Sequence, residues 1–172
     1  MGGGLDRGLI CDVARAVLAQ VAPQEMDAFQ VVSDAYFADP QPALADGEGH
    51  SRPVGAARRR TETLFTPVLL AAITDVTRQL VSELMRASVV DDIEAAHGVV
   101  RRLFTTEGGQ QRSAQAGRVD ILPELNVYQW EGIRQIVVRT ALRYGLPLES
   151  AELLGNAVLS AGQSSEPADR PE

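Results

Sequence analysis

Two histidines, His50 and His97, and one cysteine, Cys11, are the chain's whole stock of the side chains that most often act as proton carriers, nucleophiles and soft metal ligands. Glu94 and His97 stand in Glu-x-x-His spacing, which puts both on one helix face, as in the ligand sets of di-iron helical bundles. A full centre of that type needs a second such pair and two further carboxylates. His50 lies among glycines with no matching glutamate, so only the pairing of subunits would complete a site. The stretch Asp91–His97 therefore reads as a solvated charged turn, and Glu94 and His97 are expected to hold no metal. Cys11 lies beside an apolar stripe, where a buried and unreactive thiol is the usual outcome. No G-x-S-x-G, G-x-G-x-x-G or P-loop pattern occurs. These residues point to no catalytic site, no cofactor and no metal centre.

Charge narrows the partners. The 172 residues carry 16 basic and 23 acidic side chains, a net charge of -7, which is the wrong sign for holding a phosphate backbone. Nucleic acid is not an expected partner. Every basic residue is arginine and none is lysine, the bias of a GC-rich genome of the actinobacterial kind. A lone cysteine closes no internal disulfide. The opening Met-Gly-Gly-Gly-Leu-Asp-Arg lacks the basic start and apolar stretch of a signal peptide, so the expected compartment is the cytoplasm. The longest apolar run, Val68 to Ile73, is far short of the roughly 20 residues that span a bilayer. With 45% apolar residues, the chain can bury the core of one domain, placed over residues 1–162.

The elements that would position any site are helical. Ile10, Val13, Ala14, Val17, Leu18 and Val21 share one stripe, predicting a helix over 8–22. Pro23 opens a second helix, with Glu25 and Asp27 in its first turn; Met26, Phe29, Val32, Tyr36 and Phe37 form its apolar face, and Asp39-Pro40 ends it. The two read as an αα-hairpin. Residues 41–60 have no apolar period and read as a flexible loop with a basic end at Arg52, Arg58, Arg59 and Arg60. Thr66, as N-cap, and Pro67 start a third helix whose inward stripe is Leu69, Ile73, Val76, Leu80, Leu84 and Ala87. Past residue 88 the apolar set (Val89, Ile93, Ala96, Val100, Leu103, Phe104) lies roughly opposite the first. Ser88 and Asp91 have capping-box spacing, so a kink or a fresh helix is expected near Ser88. Residues 107–119 read as a flexible connection. Trp130, Ile133, Val137, Thr140, Ala141 and Tyr144 follow helical spacing, with Trp130 and Tyr144 as core residues and Gly145 as the stop. Pro147 starts a last helix with Ala151, Leu154, Val158 and Leu159 inward until Gly162, and 163–172 reads as a disordered tail. The sum is an all-α bundle of five or six helices.

Leu64-Phe65-Thr66-Pro67-Val68-Leu69-Leu70, Arg143-Tyr144-Gly145-Leu146-Pro147 and Ala151-Glu152-Leu153-Leu154-Gly155-Asn156-Ala157-Val158 resemble segments of small all-helical actinobacterial proteins. The resemblance implies an accessory component of a multi-gene effector or conflict system and brings no catalytic residue with it. The expected function is that of a non-catalytic accessory or adaptor protein that binds another protein or itself. A metal-binding or redox enzyme completed by oligomerisation is the alternative. The Val68–Ile73 run is apolar around most of its circumference, which suits the centre of a bundle, a subunit contact or a membrane surface. The contact reading makes Val68, Leu69, Leu70 and Ile73 an interaction patch, with Arg58, Arg59 and Arg60 steering an acidic partner.

Overall fold

In a computed structural model, residues 6–40, 64–104 and 125–163 of the protein are described. Among them the chain is all-α, with α1 (Arg7–Val21), a 3-10 helix (Pro23–Ala28), α2 (Phe29–Ala38), α3 (Phe65–Arg86), α4 (Ile93–Phe104), α5 (Val127–Arg143) and α6 (Leu148–Gln163). The expected loops at 41–60 and 107–119 lie outside the described residues, as do Arg52, Arg58, Arg59, Arg60 and the tail beyond Gln163.

The third helix organises the rest. Every residue from Thr66 to Thr74 is buried, so the first half of α3 is covered on all sides rather than along one stripe. α1, α2, α4 and α5 all pack against α3, while α6 pairs with α5 and also meets α1. Val68, Leu69, Leu70 and Ile73 are 2%, 0%, 0% and 2% exposed. The expectation of an open interaction patch at these four residues is thereby corrected: α3 has neighbours all round, and its apolar circumference is spent inside the chain's own core.

A helix start enclosed in this way must still satisfy its free backbone donors, because the first four N–H groups have no partner within the helix. The side chain of Glu25, from the 3-10 helix, supplies it. Phe65 N–H donates to Glu25 Oε1 at 2.9 Å and Thr66 N–H to Glu25 Oε2 at 2.9 Å, while the Thr66 hydroxyl donates to Oε2 at 2.6 Å. Pro67 brings no N–H, and Leu64 at the cap position is half exposed to water. Of the first-turn positions Phe65, Thr66 and Pro67, two amides are thus bonded and the third has no donor. Thr66 is not the cap, as expected from its place before proline, but the second residue of the helix. Likewise Pro23 opens a 3-10 helix rather than an α-helix, and α2 begins only at Phe29.

α3 ends where its apolar stripe changes phase, but not by the expected capping box. Ser88 takes a left-handed conformation, φ 53°, with its N–H donating to Met85 O at 3.2 Å and Val89 N–H donating to Leu84 O at 3.1 Å. This is a Schellman closure, usually made with glycine. Ser88 therefore belongs to the end of α3, and Asp92 starts α4 by accepting from Ala95 N–H at 2.7 Å. The same closure ends α5 at Gly145, φ 84°, as expected: Gly145 N–H donates to Leu142 O and Leu146 N–H to Ala141 O. On α6, Gly162 is a packing position rather than a stop. A Cβ there would lie 2.1 Å from the Trp130 ring, and one at Gly155 would lie 2.9 Å from Arg134 Cγ, so the two glycines let α5 and α6 approach closely. Trp130, expected in the core, is partly buried and packs against it, meeting Phe104 edge-on at 6.0 Å.

Replacing Glu25 by alanine is expected to lower stability by about 2–4 kcal/mol, because two amides at a covered helix start lose a charged acceptor. Glu25→Gln, which keeps one oxygen, should lose about half of that. Urea denaturation reads both, and a Glu25→Ala loss below about 0.5 kcal/mol would remove the cap from the account.

Candidate functional site

The second half of α3 is open on one side. From Arg78 to Arg86 only Leu80 is buried, and α5 runs beside this half in the opposite direction, with Asp75 bonded to Thr140 at one end and Glu83 and Gln129 bordering the same cleft at the other. Between the two helices lie two adjoining clefts. One, of about 350 Å³, is lined by Asp75, Arg78, Gln79, Ile136, Arg139, Thr140 and Arg143. The other, of about 520 Å³, has Leu80, Ile133 and Ile136 on its floor and Asn126, Tyr128, Gln129, Gly132 and Glu83 around it. Gln79, Ile136 and Arg139 border both, so the two clefts form one groove.

The ends of this groove differ in chemistry. At the first, three arginines and a single carboxylate line the cleft, and Thr140 Oγ1 donates to one oxygen of that carboxylate, Asp75 Oδ2, at 3.0 Å. Arg139 and Arg143 stand one helical turn apart on α5, and Arg78 faces them from α3. None of the three makes an ion pair among the described residues. Elsewhere in the fold Arg7 pairs with Asp34, Arg101 with Asp6 at 2.9 Å and Arg134 with Glu131 at 2.7 Å. At the second end the walls are apolar and amide. Tyr128 is 88% exposed there. The helix start behind them is held by a reciprocal capping box, in which Gln129 N–H donates to Asn126 Oδ1 and Asn126 N–H to Gln129 Oε1, each at 2.9 Å. Gly132 sits between the ends, inside α5, with nothing within 4 Å of where a Cβ would be.

Beside the basic end, Tyr36 of α2 is buried, and burial pushes its phenol above the usual range. Thr74, one residue before Asp75, is buried beside the Tyr36 phenol. The inner wall next to the groove is thus polar yet closed to water.

The residues singled out for chemistry do not converge here. Among the described residues no three His, Cys, Asp or Glu side chains gather at a point that would hold a metal ion. Glu94 is exposed on the first turn of α4, and His97 is half-buried one turn later, on the side of Asp6. Cys11 is half-buried on α1, and burial pushes its thiol up, against smaller opposing effects of Arg7 and Ser33. At neutral pH it is a thiol rather than a nucleophilic thiolate. Val68, Leu69, Leu70 and Ile73 lie in the core, as described above. The groove residues escaped sequence reasoning, although two local signals were present: Arg139 and Arg143 in i, i+4 spacing and the Asn-x-x-Gln cap at Asn126.

No helix among the described residues is long and apolar enough to cross a membrane. Comparison with protein-family models, with curated proteins and with solved structures returns no match to this chain.

Asp6 fastens the far side of the bundle. Its carboxylate caps α1 by accepting from Leu9 N–H at 2.9 Å and accepts from Arg101 of α4 at 3.0 and 2.9 Å. Burial raises its pKa, but the Leu9 bond and the Arg101 guanidinium outweigh that, and the carboxyl titrates below its usual value. A lowered folded-state pKa contributes stability that is present in full at neutral pH and is lost as the pH falls through the folded value. Asp6→Asn keeps a capping oxygen and loses the ion pair, so it should cost about 0.5–1 kcal/mol at neutral pH. That difference from the wild type should shrink in denaturation experiments as the pH falls through the carboxyl's lowered folded value. A gap that stays constant with pH would contradict the assignment.

Proposed function

We propose that the protein acts by binding another protein, as an accessory or adaptor subunit with no catalytic step of its own, and that the groove between α3 and α5 is where it binds. The reading includes a place in the cytoplasm and in an actinobacterial multi-gene effector system, of the kind that its segments around Leu64–Leu70 and Arg143–Val158 resemble. The observation that carries it is Gly132. A glycine inside a helix costs about 1 kcal/mol relative to alanine, and here no neighbour demands the missing side chain. What its absence provides is room at the middle of an open groove whose floor is apolar. Room for a backbone or side chain from outside is the use of such a position. The exposed Tyr128 at the rim is the type of residue that becomes buried in an interface.

The test is Gly132→Trp, which fills the groove with a large uncharged side chain. Full-length wild type purified from its own cells should carry a stoichiometric protein partner or a second copy of itself. The variant should lose that partner while melting within about 3 °C of the wild type. A wild type that purifies alone and monomeric, or a partner retained undiminished by the variant, would overturn the reading.

A further inference from the structure

On that reading of the groove, we infer that its occupant is an acidic segment of a partner protein. Its carboxylates would pair with Arg78, Arg139 and Arg143, and an apolar side chain would lie over Leu80 and Ile133. A chain of net charge -7 assembles three arginines and one carboxylate, Asp75, along one cleft, a local excess of two positive charges, and gives none of the three arginines an ion pair among the described residues. Arg139 and Arg143 repel each other mildly at i, i+4, and Arg78 adds a third like charge from across the groove. An incoming anion relieves that repulsion, and a planar guanidinium matches a carboxylate with two parallel hydrogen bonds.

The distribution of charge along the groove separates an acidic peptide from the phosphate-bearing macromolecules that guanidinium groups also bind. A nucleic-acid strand needs positive charge along its whole path. Past Arg139 the groove has no basic residue; its walls become Leu80, Ile133 and amide side chains, with Glu83 among them. Basic at one end and apolar further along, it matches a segment of the same division. From Arg143 to Tyr128, α5 rises about 22 Å at 1.5 Å per residue, a span that an extended segment of about seven residues covers.

The probe is a fluorescein-labelled peptide acidic at one end and apolar at the other, Glu-Glu-Glu-Leu-Ala-Leu-Leu, with its reverse, Leu-Leu-Ala-Leu-Glu-Glu-Glu, covering the opposite chain direction. Titrated by fluorescence anisotropy against the full-length protein, one of the two should bind saturably and weaken as salt is added. The double variant Arg139→Gln/Arg143→Gln should weaken binding at least about tenfold, and Gly132→Trp likewise. Arg86→Glu, on exposed α3 outside the groove, should not change it. Circular dichroism keeps the comparison to folded proteins, and Arg78→Gln alone gives an independent second variant with an expected loss of about threefold. Absence of saturable peptide binding, or binding unchanged in the arginine variants, would overturn the inference. So would single-stranded DNA or inorganic phosphate competing as well as the unlabelled peptide, since the site would then read phosphate. Loss of a cellular partner in Gly132→Trp, together with its retention in the arginine variants, would leave the protein-binding role standing and remove the acidic segment.

Discussion

The fold depends on how the start of α3 is closed. A helix surrounded by neighbours from its first turn cannot leave its amino-terminal amides to water, and a local cap is not on offer, because Leu64 occupies the cap position. Glu25 answers from the preceding 3-10 helix, taking both amides on its two oxygens, while Pro67 removes a third donor altogether. Negative charge at a helix amino terminus is favoured by the helix dipole, so the carboxylate stabilises α3 in two ways at once. The same contact fixes the 3-10 helix against α3 and with it the direction in which α1 and α2 enter the bundle. Thr66 through Thr74 can then be buried all round, with Leu69 and Leu70 at the centre.

From that constraint follows the surface. The first half of α3 is consumed by the core, so contact with anything outside falls to its second half, where one side is left open. α5 lies against that half in the opposite direction, tied at the Asp75–Thr140 hydrogen bond. α6 holds α5 from behind through the close approach at Gly155 and Gly162. The groove is therefore built on two rigid helices rather than on connecting segments, which keeps Arg78, Arg139 and Arg143 at a set separation from the apolar floor. A preformed groove of this kind loses little conformational freedom when it is filled.

How much of this was legible in the sequence depends on how local each feature is. The stripes of α1, α5 and α6 follow from helical periodicity alone, and Gly145 was readable as a stop because only its own backbone is involved. The phase change after Leu84 marked the break near Ser88. The mechanism of that break did not show, since the Ser-x-x-Asp spacing of a capping box coincides here with a left-handed serine followed by the true cap, Asp92. Glu25 was legible only as an acid in an early helical turn. Its partners are some forty residues away, and no local pattern connects them. The apolar circumference of Val68 to Ile73 was visible, but choosing between core and contact surface required knowing that four elements meet on α3. The groove was hidden for the same reason: Arg78 and the Arg139–Arg143 pair belong to different helices, and only the antiparallel packing of α3 on α5 brings them to one cleft.

Hydrogen exchange at the first turn of α3 tests the central claim most directly. Amides at a helix start ordinarily exchange fast, because they lack intrahelical partners and fray. With Glu25 holding them inside the bundle, the Phe65 and Thr66 amides should be protected to nearly the same degree as those of Leu69 and Leu70. In Glu25→Ala the protection of the first two should fall much more than that of the others. Fast exchange at Phe65 and Thr66 in the wild type, at the rate of an open helix end, would contradict the account.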